Sequence, residues 1–240
     1  MIDLRDKLAL VTGATSGIGA AIADALALQG ARLIVCGSDP ERLRRARARI
    51  NEVAPGTDVE AWLLDLGEPL AAQLPAAVPT ALDVLVHAAG DYRGESILAT
   101  TPAQFEQLLR INAVAPLALT QALADGLRAA QGQVVFVNSS AARQAPKAAP
   151  GAYAASKHAL AAIAGALRDG LNEAGVRVLS IYPGRTATPM QAALFEREGR
   201  DYPADKLLQA GDIAAAVCDA LRLPRTAELT DLDIRPLQKW

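Results

Sequence analysis

The chain has 240 residues, 51% of them hydrophobic, and its 24 Lys and Arg nearly balance 26 Asp and Glu for a net charge of −2. That is enough apolar material for one sizeable core, and the balance excludes the cation excess on which nucleic-acid or anionic-membrane binding depends. The charged start MIDLRDK and the lack of any run of 18 apolar residues predict a cytoplasmic protein with no membrane partner; two distant cysteines and two histidines predict no metal site.

In chain order, LALVT (Leu8 to Thr12) reads as a buried strand and Ala20 to Leu28 as a helix. Between them stand Gly13, Gly17 and Gly19 in the spacing G-x-x-x-G-x-G. A helix opening directly after such a turn aims free N–H groups and a partial positive charge into it, which suits a phosphate. Glycines also mark ordinary turns, so the stretch alone decides nothing.

RLIVC (Arg32 to Cys36) is the second strand, and Asp39 followed by Pro40 starts a helix to Val53, with Asp at the N-cap and Pro at N1. The stretch Glu41 to Ile50 packs five arginines into eight positions. Leu43, Ala46 and Ile50 recur there at a spacing that buries one helix face, so the arginines form a solvated outer face rather than a nucleic-acid patch. Further strands are expected at Val59 to Asp65, Asp83 to Ala89, Gln133 to Ser139, Val176 to Pro183 and Glu228 to Ile234, with helices at Pro102 to Ala129 and Gly151 to Ala174. Short apolar strands alternating with helices predict a doubly wound α/β fold: a seven-stranded parallel sheet with helices on both faces, a three-layer sandwich. No linker interrupts the composition, so one domain is expected over residues 1–240, with ligands at the carboxyl ends of the strands.

YAASK places Tyr153 and Lys157 four apart, on one helix face and one turn from each other. An ammonium near a phenol favours the phenolate, which suits the tyrosine to give and take a proton. Such pairs also arise by chance. VNSS ends a strand with Ser139 and Ser140, and Ser140 stands thirteen residues before Tyr153.

With these residues together, the sequence resembles the short-chain dehydrogenase/reductase family along nearly its whole length. The family's T-G-x-x-x-G-I-G corresponds to Thr12, Gly13, Ala14, Thr15, Ser16, Gly17, Ile18 and Gly19, and its adenine-side Asp to Asp65 in LLDL. N-N-A-G corresponds to His87, Ala88, Ala89 and Gly90, the helix asparagine to Asn112, and P-G-x-x-x-T to Pro183, Gly184 and Thr188. The resemblance implies a catalytic set of Asn112, Ser140, Tyr153 and Lys157. It implies cofactor contacts from the glycine turn (Gly13, Thr15, Ser16, Gly17, Ile18, Gly19), from Ser38, Asp65, Leu66, Ala88, Ala89 and Gly90, from Tyr153 and Lys157, and from Pro183, Gly184, Thr186 and Thr188. His87 and Ala88 depart from the family's two asparagines, and His87 reads as a satisfied structural histidine.

The implied activity is hydride exchange between a nicotinamide and a carbonyl or secondary alcohol. NADP(H) is expected over NAD(H): the strand end carries Gly37, where an acid would grip the ribose 2′-OH, and Asp39 is accounted for by helix initiation. Residues 185–211 correspond to the family's substrate lid, and Met190, Leu194, Phe195 and Tyr202 there favour a small to medium apolar substrate. The last strand and its tail RPLQKW resemble an edge element that packs across a two-fold axis, so a homotetramer, or failing that a dimer, is expected. A non-catalytic dinucleotide sensor, an NAD-dependent dehydrogenase and a sugar-nucleotide epimerase or dehydratase are the competing readings. The intact Tyr–Lys pair opposes the first, and only 57 residues after Pro183 oppose the last.

Overall fold

The computed structural model describes residues 1–143 and 151–237. Strands β1 (Leu8–Thr12), β2 (Arg32–Gly37), β3 (Val59–Leu63), β4 (Val84–His87), β5 (Gln133–Val137), β6 (Arg177–Pro183) and β9 (Asp231–Ile234) form one sheet in the order β3-β2-β1-β4-β5-β6-β9. Every pairing in it is parallel. A second, two-stranded piece pairs β7 (Thr186–Ala187) with β8 (Leu208–Gln209).

Helices α1 (Gly17–Leu28), α2 (Pro40–Val53) and α8 (Ala210–Leu221) and helices α3 (Pro102–Leu109), α4 (Ala115–Ala122), α5 (Ala124–Ala130) and α6 (Gly151–Leu171) complete the fold, with α7 (Pro189–Arg197) over the strand ends. Alternate strand residues feed two separate cores. Val11, Val35, Val86 and Val135 pack with Ile22 and Leu26 of α1 and Ile213 and Val217 of α8. Leu10, Ile34, Leu85 and Phe136 pack with Leu119, Leu127 and Leu160 on the other face. Burial on both faces is why these strands read as unbroken apolar runs. The order reverses direction between β1 and β4, which opens a crevice beyond their carboxyl ends.

The strands are shorter than expected wherever the chain turns toward that crevice. β4 stops at His87 because the N–H groups of Ala88 and Ala89 leave the ladder for Thr12 Oγ1, at 3.1 and 3.2 Å. β5 stops at Val137, and Ser139 instead caps a 3-10 turn over Ser140–Ala142.

The single helix expected at Pro102 to Ala129 is divided. A π-helical turn at Arg110–Val114 separates α3 from α4, and Leu123 breaks α4 from α5. Pro116 lacks the N–H that an α-helix would offer to the carbonyl of Asn112, so regular winding cannot pass through this point.

In α2, Asp39 accepts the N–H of Arg42 at 2.8 Å, and Leu43, Ala46 and Ile50 are buried. The arginines lie outward, Arg44 and Arg45 on Glu41 and Arg49 on Asp24. Cys36 and Cys218 are free and buried, and burial raises both thiols, Cys218 to about 11.

Candidate active site

The nucleotide side of the crevice is made of main chain. Gly13 leaves β1 with φ +67°, and a Cβ there would stand 2.8 Å from the backbone of Ala89. A Cβ on Gly19 would meet the Gly13 carbonyl, and one on Gly17 would press on Thr188. Both faces of the turn are therefore closed to side chains.

At Ser16 the N-cap side chain makes no capping bond, and the first turn of α1 holds no acidic residue. Its leading N–H groups stay available to an outside acceptor, with the helix dipole behind them. A cavity of about 250 Å³ opens beside this turn, walled by Gly13, Thr15, Ser38, Asp65, Leu66, Ala89 and Gly90. Asp65 is held in shape by accepting the N–H of Gly67 at 2.8 Å, and Ala88 backs the turn from behind Gly19. These features fit a dinucleotide: a bare backbone cradle for the pyrophosphate, and a pocket at the end of β2 and β3 for the adenosine.

The chemical side is made of side chains. Tyr153 and Lys157 stand one turn apart on α6, with the Lys157 Nζ 5.9 Å from the Tyr153 ring centroid. Lys157 is buried and its Nζ donates to the carbonyl of Val137 at 3.1 Å. Asn112, on the π-helical turn, accepts the N–H of Asp91 at 2.8 Å and donates to the Asp91 carbonyl and to Ser156 Oγ, both at 2.9 Å. It thus staples the loop after β4 to α6. A Cβ on Gly90 would sit 3.1 Å from Asn112 Oδ1 and 3.6 Å from Lys157 Nζ, so the three positions meet.

Ser139 and Ser140 both line the cavity at Tyr153, Ser139 half-buried and Ser140 exposed. The spacing count to Tyr153 crosses residues 144–150, which lie outside the described set. The sheet sets the position more directly: the N–H of Asn138 reaches the carbonyl of Ile181 at 2.8 Å, and Ser139 is the next residue.

Tyr153 differs from expectation: burial pushes its phenol up to about 12, with the Ser139 hydroxyl pulling the other way. Burial likewise lowers the Lys157 ammonium, to about 8.

A cavity of about 230 Å³ opens at Tyr153, lined by Ile18, Ser139, Ser140, Pro183, Gly184, Thr186 and Thr188. Tyr92, Asn138, Arg185, Met190, Gln191 and Leu194 also line it, most of them unforeseen in the sequence. Tyr92 packs edge-on to Tyr153 at 4.9 Å. Its position two residues after Gly90 was the available signal.

His87 faces away from both cavities. Its Nε2 lies 2.8 Å from Thr120 Oγ1, and that hydroxyl donates to the Pro116 carbonyl, so the histidine is the donor and Nε2 carries the proton. The ring stacks on Phe136 at 4.8 Å, and burial lowers its pKa to about 3, so it is neutral. It is structural, as expected, but satisfied on one side only: buried Nδ1 has no partner.

A dinucleotide-binding sheet with a Ser–Tyr–Lys group at its strand ends defines a class of nicotinamide oxidoreductases. The short chain dehydrogenase family model matches residues 7–199, and the chain belongs to the short-chain dehydrogenase/reductase family of NAD(P)-dependent oxidoreductases. It is similar to an uncharacterised oxidoreductase of Staphylococcus saprophyticus, 31% identical over 99% of this chain and 100% of that one. A short-chain dehydrogenase of Escherichia coli, solved with NADPH, is 32% identical with a TM-score of 0.85, covering 96% of this chain and 98% of that one. A metagenomic short-chain oxidoreductase solved with NADP is 29% identical with a TM-score of 0.77, covering 99% and 100%. Among the described residues, no helix is long and apolar enough to cross a membrane.

Proposed function

We propose that the protein is an NADP(H)-preferring oxidoreductase acting on a small to medium carbonyl or secondary alcohol. The carrying observation is the meeting of Ser139, Ser140 and Tyr153 at one cavity, with Lys157 one helical turn from the tyrosine, beside a second cavity that a glycine turn leaves open to a dinucleotide. Ile18, Pro183, Gly184, Thr186 and Thr188 would hold the nicotinamide, which when bound would supply or take up the hydride.

The chain does the rest. Tyr153 gives its proton to the substrate oxygen in reduction and takes it back in oxidation. Ser140 donates a hydrogen bond to the same oxygen and steadies the charge that develops there. Lys157 would hold the ribose hydroxyls, and Asn112 fixes the loop and helix between which the proton leaves. Ser139 lines the same cavity.

The cofactor preference is supported at the end of β2. Gly37 offers no carboxylate to a ribose diol, and the Asp39 carboxylate already accepts the N–H of Arg42. The Arg42 side chain is exposed and forms no ion pair among the described residues, which leaves it open to a 2′-phosphate near Ser38. The two solved relatives named above were bound to NADPH and NADP.

Ile18, Met190 and Leu194 give the substrate cavity an apolar wall, and Tyr92 and Gln191 give it a polar one. A carbonyl with a predominantly apolar body and one hydrogen-bonding group suits both. A cytoplasmic homotetramer, or failing that a dimer, fits the parallel edge strand β9, the last three residues of whose tail lie outside the described set. A monomer mass by light scattering at micromolar concentration overturns the assembly.

The test of function is a panel of carbonyls and alcohols with each nicotinamide cofactor, followed at the absorbance of the reduced nicotinamide. Turnover faster with NADPH than with NADH is expected. No turnover with any member overturns the reading.

A further inference from the structure

The substrate cavity carries one cation whose hydrogen-bond donors are unspent. Arg185 follows Gly184 just beyond β6 and lines the cavity together with Tyr153. Its main chain is fixed, because its carbonyl accepts the N–H of Leu208 on β8 at 3.1 Å. Its side chain is steadied as well: the guanidinium carbon lies 5.2 Å from the ring centroid of Phe195, a fully buried residue of α7. A ring attracts the cation but accepts no conventional hydrogen bond, so the guanidinium N–H groups remain to be matched. Among the described residues, Arg185 forms no ion pair and its side chain donates no hydrogen bond.

The other charge in the lining is already answered. Glu198 accepts from Arg200 Nη1 at 2.9 Å, and Arg200 lies over the same Phe195 ring at 4.9 Å. That leaves Arg185 as the one unmatched charge facing the cavity among the described residues.

The cation also stands near the chemistry. Burial raises the phenol of Tyr92, Glu198 adds to the rise and Arg185 opposes it, so the guanidinium is within electrostatic reach of that ring. Tyr92 in turn packs edge-on to Tyr153 at 4.9 Å.

A single guanidinium fork matches the two oxygens of one carboxylate. A phosphate, at about −1.5 to −2, would keep charge unmatched beside the apolar wall of Met190 and Leu194. We propose that Arg185 is a specificity-determining residue that pairs with a carboxylate on the substrate, so that the preferred substrates are oxo acids, or the corresponding hydroxy acids, with an apolar body. The inference rests on the oxidoreductase reading above and narrows its substrate class. Met190 and Leu194 take the body, and Arg185 holds the charged end, which decides which carbonyl is brought to Tyr153.

The test uses the full chain with saturating NADPH and a series of aliphatic oxo acids of increasing length, each beside its methyl ester. Acid and ester present the same carbonyl and differ in one charge. In the parent, kcat/KM for the best acid should exceed that for its ester by about 10–100-fold, chiefly through KM. Arg185→Met should bring that ratio to about one by raising KM for the acid, with the ester's kinetics and the NADPH dissociation constant changed by less than about twofold. Arg185→Lys should keep the charge but lose the fork, and with it part of the preference.

Equal turnover of acid and ester by the parent leaves the oxidoreductase reading standing and overturns this inference alone. So does a fall in NADPH affinity or in ester turnover in Arg185→Met, which would assign the residue to the cofactor or to the fold. If Arg185→Met does not fold, Arg185→Gln replaces it, with the same collapse of the ratio expected. No turnover of any acid or ester, nor of the wider panel, overturns the oxidoreductase reading and this inference with it.

Discussion

On one side of the crevice, β1, Gly13 and the opening turn of α1 present backbone, and each glycine is there because a Cβ would strike Ala89, Gly13 or Thr188. On the other side, the ends of β5 and β6 and one turn of α6 present side chains: Ser139, Ser140 and Tyr153, with Lys157 and Asn112 behind them. A site made of main chain tolerates no added atom, while a site made of side chains fails when an atom is removed. Substitutions in the two halves should therefore separate binding from chemistry.

The largest effect is expected on the side-chain half. Tyr153→Phe removes one oxygen from a buried ring and leaves the glycine turn alone, so kcat should fall about 10²–10⁴-fold with NADPH affinity unchanged. Wild-type turnover by this variant on a good carbonyl removes Tyr153 from the proposed mechanism.

The backbone half comes next, and its signature is the reverse. Gly13→Ala sets a Cβ 2.8 Å from the Ala89 backbone at a φ of +67°, so the turn must move. NADPH affinity should weaken about 10–100-fold, taking about 1–3 kcal/mol for the forced shift, with kcat at saturation little changed. Unaltered nucleotide affinity, measured by fluorescence titration, breaks the distinction between the halves.

The same distinction explains what could be read in the sequence. Glycine spacing encodes the main-chain half directly, because each glycine answers to one steric contact. On the other half, Tyr153 and Lys157 lie on one regular helix and their separation survives folding. The two serines are placed differently, by the β5–β6 register, in which the N–H of Asn138 just before them reaches the Ile181 carbonyl. The π-helical turn at Asn112 was equally hidden, since Pro116 gives the only hint and reads as easily as a helix start. Tyr92 belongs to a loop, where no periodicity announces a contact. The seven-stranded parallel sheet and its covering layers followed from strand and helix periodicity because burial on two faces imposes it.

A third prediction lies at the border of the halves, where β2 ends. Gly37→Asp introduces the carboxylate that would accept the ribose 2′-OH and repel a 2′-phosphate. Its Cβ would stand 3.0 Å from Thr15 Cγ2, close enough to require a shift of a few tenths of an ångström in a threonine methyl. The ratio of kcat/KM for NADPH over NADH should drop by about tenfold. If the parent already favours NADH, Asp39 is reaching the ribose and the proposed preference is wrong.

The smallest effect is on stability, and it measures what the side-chain half costs the fold. Burial lowers Lys157 from 10.5 to about 8, so the folded protein resists the charge that the unfolded chain carries freely. Between about pH 8 and 10.5 the unfolded chain binds the extra proton, so this penalty is complete below that window and fades as pH rises through it. Tyr153, raised to about 12 from 10, acts in the opposite direction above pH 10, which leaves pH 7.5–9.5 for Lys157. Lys157→Met removes the titrating group but keeps a long apolar stem, at the loss of its bond to the Val137 carbonyl. The variant should melt a few degrees higher than the parent at pH 7.5, and the gap should narrow by roughly 2 kcal/mol by pH 9.5. A gap that stays constant across that range, measured by thermal unfolding without cofactor, means that Lys157 is not the strained cation that the structure makes it.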